Sequence, residues 1–285
     1  MLRISLFSSI FAVANIGCSG NENSNAGSTP PPSGESVTEK PIAKKEFKLD
    51  AEALRKAAEE VALVPSPAEM QKSLSNAGLS SKLSDLVRSD RNISMDVSDK
   101  DNLAVRTGVV LADLVLTVES ASKEQKTARF AKLKNGFKVL GGGSDIQNTI
   151  DELTKSINND DDTDLLQEMD ELSGVMVPEL EYEAGDWVVP LIQAGSWLEG
   201  ANLVSGAIIK EGKYDVASQL LRQPRVVEYF LKYVQREGGN KAPDKTVQKL
   251  EEVLTQLKVI ASKSALSEED VKQINKLTAD VLTML

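Results

Sequence analysis

The chain has 285 residues, 41% hydrophobic and 27% charged, enough for a folded core, and with aromatics at only 4% that core must be built from Leu, Val, Ile and Ala, which suits helix packing better than a β-sandwich. It carries a net charge of −10, no histidine and a single cysteine, Cys18. These features exclude Ser-His-Asp and Cys-His catalysis, histidine-ligated metals, thiolate metal clusters and an internal disulfide, and they argue against nucleic acid, whose phosphates are held by Lys and Arg.

Met1 to Gly17 read as an export signal. Arg3 supplies a short positive start, and Ile4 to Ala14 is an apolar stretch too short to span a bilayer as a helix. The small residue Gly17 followed by Cys18 resembles the lipobox of bacterial lipoproteins, although Asn15 stands where that pattern has Leu. The resemblance implies that Cys18 is lipidated, becomes the mature N-terminus and anchors the chain to a membrane. Ser19, rather than Asp, then implies the outer membrane, with the domain in the periplasm or at the cell surface. The competing reading is an ordinary secretory signal with an incidental cysteine. Residues 18–46 are rich in Ser, Gly, Asn and Pro and cannot bury enough apolar surface to offset their chain entropy, so a disordered tether is expected there.

Residues 47–285 read as an all-α domain of eight to eleven helices. Asp50 can cap a helix over Ala51 to Leu63. Ser66-Pro67-Ala68-Glu69 is a capping box with Pro at the first helical position, and Gly78 is placed to end that helix. A short helix follows over Ser81 to Arg88, then a loop from Asp90 to Val97. Ser98 to Asp101 reads as a second capping box, opening an apolar helix from Asn102 to Glu119. Ser122 with Gln125 opens the next, stopped at Gly141-Gly142-Gly143, and Ser144 with Gln147 opens one to about Asn158. Thr163 is a cap for a helix to about Leu172, beyond which Pro178 interrupts the pattern. Asp186 caps a second apolar helix, Trp187 to Lys210. Helices over Tyr214 to Leu221 and Pro224 to Arg236 come next, the latter stopped by Gly238-Gly239. Pro243 to Ser262 and Glu268 to Leu285 have facing stripes, Val247, Leu250, Leu254 and Leu257 against Val271, Ile274, Leu277 and Val281, and are expected to form an antiparallel C-terminal hairpin.

The helices Asn102 to Glu119 and Trp187 to Lys210 are apolar on most sides and should be central. Both are rich in small residues, so they are expected to pack through Gly108, Ala112, Gly195 and Gly200. A short echo between Gly108–Asp113 and Gly195–Gly200 suggests a diverged helical repeat. On Leu63 to Pro67, Asn102 to Leu114 and Ala194 to Gly200 the chain resembles a family of all-helical bacterial proteins, common in Bacteroidetes-type genomes and often predicted to be lipoproteins. That resemblance implies an exported all-α protein and carries over no activity.

Asn158 to Asp164 is acidic but fails as a calcium loop, because Thr163 stands where such a loop needs Gly and Met169 where it needs Glu. Gly141-Gly142-Gly143 reads as a helix stop, and Glu179, Glu181, Glu183 and Asp186 as a solvated acidic face. Asp113 and Glu199 are the sharper candidates, since an acid inside an apolar helix needs a partner or a wet cavity. Arg106, on the same helix face as Asp113, is the expected cation. The composition supports a non-enzymatic, membrane-tethered binding or structural protein, with an envelope protein as partner and neither a cofactor nor a metal. The alternative is a small-ligand or metal-binding protein using Asp113 and Glu199.

Overall fold

The computed structural model describes residues 65–87, 93–159, 161–185, 187–241 and 244–285. The expected signal, Cys18, the tether and the helix over Ala51 to Leu63 lie outside them. The fold is all-α, as expected. Among the described residues there are ten α-helices: α1 Pro67–Asn76, α2 Lys100–Leu116, α3 Lys123–Leu140, α4 Ser144–Asn159, α5 Asp162–Ala184, α6 Val188–Glu211, α7 Ala217–Leu221, α8 Pro224–Lys241, α9 Asp244–Ala261 and α10 Glu268–Leu282. Short 3-10 turns at Ser80–Asp85 and Tyr214–Val216 take the place of part of two expected helices. No helix among the described residues is long and apolar enough to cross a membrane.

Local signals fix several starts. The Ser66 hydroxyl accepts from the Glu69 N–H at 3.1 Å while the Glu69 carboxylate accepts from the Ser66 N–H at 2.8 Å, a closed capping box. Ser122 with Gln125 and Ser267 with Asp270 close two more. At the α2 start the cap is Asp99 rather than Ser98, its carboxylate accepting from the Asn102 N–H at 2.7 Å. At the α5 start it is Asp161 rather than Thr163, accepting from the Asp164 N–H at 3.0 Å. An ionised carboxylate is the better acceptor at a helix N-terminus, where the dipole favours negative charge.

Two expected breaks do not occur. α5 runs on through Pro178 to Ala184. α8 runs through Gly238 and Gly239 to Lys241, and packing explains it. A Cβ at Gly238 would sit 3.2 Å from the Val247 side chain of α9, so the missing side chain admits the neighbouring helix. Burial against α9 thereby overrides a propensity penalty of about 1 kcal/mol per glycine.

α2 and α6 form the centre and make the closest and most extensive helix pair. α3 packs on α2, α4 on α5, and α1 lies across α2 and α6. The C-terminal helices do touch, as expected of a hairpin, but their main partners lie elsewhere. α9 packs chiefly on α8, and α10 chiefly on α6. A reciprocal amide pair holds α10 to α6: Asn202 Nδ2 donates to the Asn275 carbonyl at 3.1 Å, and Asn275 Nδ2 to the Asn202 carbonyl at 2.9 Å. A pair of polar side chains satisfied this way fixes register where apolar contacts alone would tolerate sliding.

The buried Asp270 carboxylate that caps α10 accepts from Lys263 Nζ at 2.5 Å and from the Ser267 N–H at 3.0 Å. Burial pushes its carboxyl up, but the hydrogen bonds from Lys263 and Ser267 outweigh that and hold it below the usual carboxylate value. A folded-state pKa below the unfolded one gives stabilisation that is complete above the unfolded value and is lost as pH falls through the folded one. Asp270→Asn should therefore cost roughly 1 kcal/mol at neutral pH. Its deficit relative to wild type should shrink in strong acid, as read by urea unfolding at the two conditions.

Candidate functional site

The α2–α6 crossing is so close that neither Gly108 nor Gly195 has room for a side chain. A Cβ built on Gly108 would strike the Ile192 carbonyl and the Ser196 nitrogen, and one built on Gly195 would strike the Val105 carbonyl and the Val109 nitrogen. Ser196 Oγ donates to the Gly108 carbonyl at 2.9 Å across the same contact. Gly108 and Gly195 thus do what their size suggested. Gly200 serves a different contact, since a Cβ there would strike Met70 Sδ of α1.

Beyond the crossing, Asp113 and Glu199 are both buried, 6% and 0% exposed. Their cation is Arg129 of α3. Burial pulls the Arg129 guanidinium pKa down, while the charges of Asp113 and Glu199 push it back up, so one guanidinium lies within electrostatic reach of both acids. It remains protonated, as arginine does. Arg129 Nη1 also donates to Thr117 Oγ1, whose own hydroxyl donates to the Asp113 carbonyl, so the group is tied to the end of α2. The node joins α2, α3 and α6.

Arg106 is not that cation. Its Nε donates to Asn102 Oδ1 at 2.6 Å, its Nη1 to the Ser94 carbonyl at 2.7 Å, and its Nη2 to the Leu285 main-chain oxygen. Side chains on a helix lean toward its N-terminus, so Arg106 reaches back to Asn102 and away from Asp113, which lies further along α2. Arg106 is a strap that holds the chain after α10 against the start of α2.

The acidic turn at the start of α5 is held by lysines of α3. Lys126, 4% exposed, pairs with Asp162, and Lys123 Nζ donates to the Asn158 carbonyl at 2.6 Å. Ser156 Oγ donates to Asp164 Oδ2 at 2.5 Å. Asp161 is thus committed to helix capping, Asp162 to the α3–α5 contact and Asp164 to the α4–α5 contact. Among the described residues no three acidic or thiol side chains converge as a metal site would need. The Glu179, Glu181, Glu183 and Asp186 side chains lie outside the described residues.

The largest feature that sequence reasoning missed is a cavity. It has a volume of about 300 Å³ and lies where the α8–α9 hairpin meets α2, α6 and α10. Each helix lends it one stripe: Leu191, Ala194 and Leu198 from α6, Phe230, Tyr233 and Val234 from α8, Val247, Leu250 and Leu254 from α9, and Val281 from α10, with Met284 and Leu285 beyond it. Val105 of α2 completes the apolar wall, and Asp99, Asp101, Asn102 and Thr246 supply polar groups. A smaller groove of about 210 Å³ lies between α1, α6 and α7, against Met70 and Trp197. There Trp197 Nε1 donates to Gln223 Oε1 at 2.7 Å, and the Trp197 ring packs on Phe230 with centroids 5.6 Å apart. The sequence signal for the cavity existed in part, because Val247, Leu250, Leu254 and Val281 were legible as facing stripes. The space between them was not.

No protein-family model, no curated protein and no solved structure matches the chain.

Proposed function

We propose that the chain is an exported, lipid-anchored binding protein of the cell envelope, tethered at the outer membrane through Cys18, whose helical domain holds a small apolar ligand between α6, α8, α9 and α10. The observation that carries this reading is the cavity of about 300 Å³. That volume is at the lower end of the roughly 300–1,000 Å³ typical of ligand clefts. Ligand sites are generally concave, mostly apolar, and furnished with a few polar groups that orient the guest, and this cavity has that composition. Asp113 and Glu199 belong to a structural node in this reading, because Arg129 already supplies the positive charge they need.

The test is to fill the space. Ala194 sits in the cavity wall between Leu191 and Leu198, so Ala194→Phe should project a ring into it. Wild type should bind the apolar dye N-phenylnaphthylamine with a rise in its fluorescence and a higher melting temperature. Ala194→Phe should lose both responses while keeping a melting temperature at least equal to that of the unliganded wild type. Equal dye binding by both proteins would remove the cavity as the site.

The anchor has its own check. Metabolic labelling with a palmitate analogue should mark the wild type and leave Cys18→Ser unmarked, and equal labelling would refute the lipoprotein reading.

A further inference from the structure

We infer that the groove between α1, α6 and α7 is the seat of the chain's own segment Ala51–Leu63, which turns back at Pro65, lies antiparallel to α1 and buries Leu54, Ala58 and Val61 there. The inference stands apart from the cavity and its ligand.

The segment's pattern calls for a partner surface. Leu54, Ala58 and Val61 recur at i, i+4 and i+7, with Ala51, Ala57 and Ala62 beside them at helical spacing. Glu52, Arg55, Lys56, Glu59 and Glu60 share the opposite side. One face is thus apolar and slim, the other charged. A helix of this length is marginal alone in water and forms by burying its apolar stripe.

The groove is the apolar surface within reach. Pro65 lines it, and Leu63 is two residues away, at most about 7 Å along an extended chain. Val64 and Ser66 each precede a proline, which disfavours helix at both, and Ser66 is extended with φ −66° and ψ 155°. A single helix therefore cannot run from the segment into α1. Helices joined by so short a link pack side by side and antiparallel. The two flanks of α1 differ. Lys72, Ser75 and Asn76 make one of them polar and exposed. The other, with Met70 and Ser73, opens on the groove, whose far walls include Val204 of α6 and Leu220 of α7. Gly200 and Ala201 give α6 little bulk along the groove, and the alanines of the segment add as little, so the two can approach closely.

The test uses the full chain as Cys18→Ser, which leaves no native cysteine. Counting outward from the link sets Ala58 close to Ser73. A short bismaleimide should therefore join Ala58→Cys to Ser73→Cys within one chain at least about fivefold faster than it joins Ala58→Cys to Ser75→Cys, whose second site lies on the exposed flank. Trypsin gives an independent reading. Leu54→Asp puts a charge in the apolar stripe and should speed cleavage after Arg55 and Lys56 by about tenfold or more, with cleavage after Lys44 and Lys45 unchanged. Equal cross-linking of the two pairs, or cleavage after Arg55 and Lys56 as fast in wild type as in Leu54→Asp, would overturn the inference. Cross-links formed only between chains would give the groove to a second copy and overturn it equally.

Discussion

Gly108→Ala and Gly195→Ala should each destabilise the domain by more than about 3 kcal/mol, beyond the roughly 1–3 kcal/mol usual for overpacking. In both cases the added methyl collides with the backbone of the facing helix, the Ile192 carbonyl in one and the Val105 carbonyl in the other. Backbone cannot rotate aside as a flexible side chain can, so the two axes must separate. Separation would also break the bond from Ser196 Oγ to the Gly108 carbonyl and loosen the largest buried contact of the fold. Gly206→Ala is the internal control. It lies in the same helix, its new methyl would meet nothing nearer than 3.5 Å, and helix propensity alone should stabilise it by up to about 1 kcal/mol. Urea unfolding followed by circular dichroism reads all three. A loss below about 1 kcal/mol at Gly108 would mean that the two helices do not cross in contact.

Arg129→Met should cost about 3 kcal/mol, the low end of the usual loss when one partner of a buried charged group is removed and the others remain, because water reaches part of this guanidinium. Two buried carboxylates, Asp113 and Glu199, would lose the guanidinium charge that both feel. Adding Asp113→Asn and Glu199→Gln to Arg129→Met should return much of the loss, so the combined variant should be far more stable than the sum of the single effects. Arg106→Met with Asp113→Asn should instead be additive, since Arg106 bonds Asn102, Ser94 and Leu285. Chemical denaturation of the set separates the cases. Additivity at Arg129, or strong coupling at Arg106, would reverse the assignment of the cation.

Range decides which features were legible in the sequence and which were hidden. Ser66 and Ser122 were legible as caps because a capping box is complete within four residues. Gly108 and Gly195 were legible as a close contact because small residues in an otherwise apolar helix have few other uses. The burial of Asp113 and Glu199 was legible for the same reason. Their cation was not, because Arg129 arrives from α3 and no spacing rule within α2 can point to it. Arg106 had the right sequence distance but the wrong lean. The stop expected at Gly238-Gly239 failed because Gly238 serves contact with Val247 rather than chain termination. The stripes of α9 and α10 announced that each helix buries a face. Whether that face meets side chains or open space depends on where α8 and α6 sit, which the pattern of one helix does not encode.

The crossing of α2 and α6 carries a symmetry. Exchanging the two helices takes Gly108 to Gly195, the Val105 carbonyl to that of Ile192, and the Val109 nitrogen to that of Ser196, so each glycine meets the partner atoms that its counterpart meets. The exchange is a local two-fold axis through the contact. It ends at the charges, for Asp113 lies one residue further beyond its glycine than Glu199 does. A two-fold contact locks translation, because sliding either helix by a residue would drive side chains into a carbonyl on both sides of the axis at once. α2 and α6 therefore form a locked frame against which the α8–α9 hairpin and α10 wall the cavity.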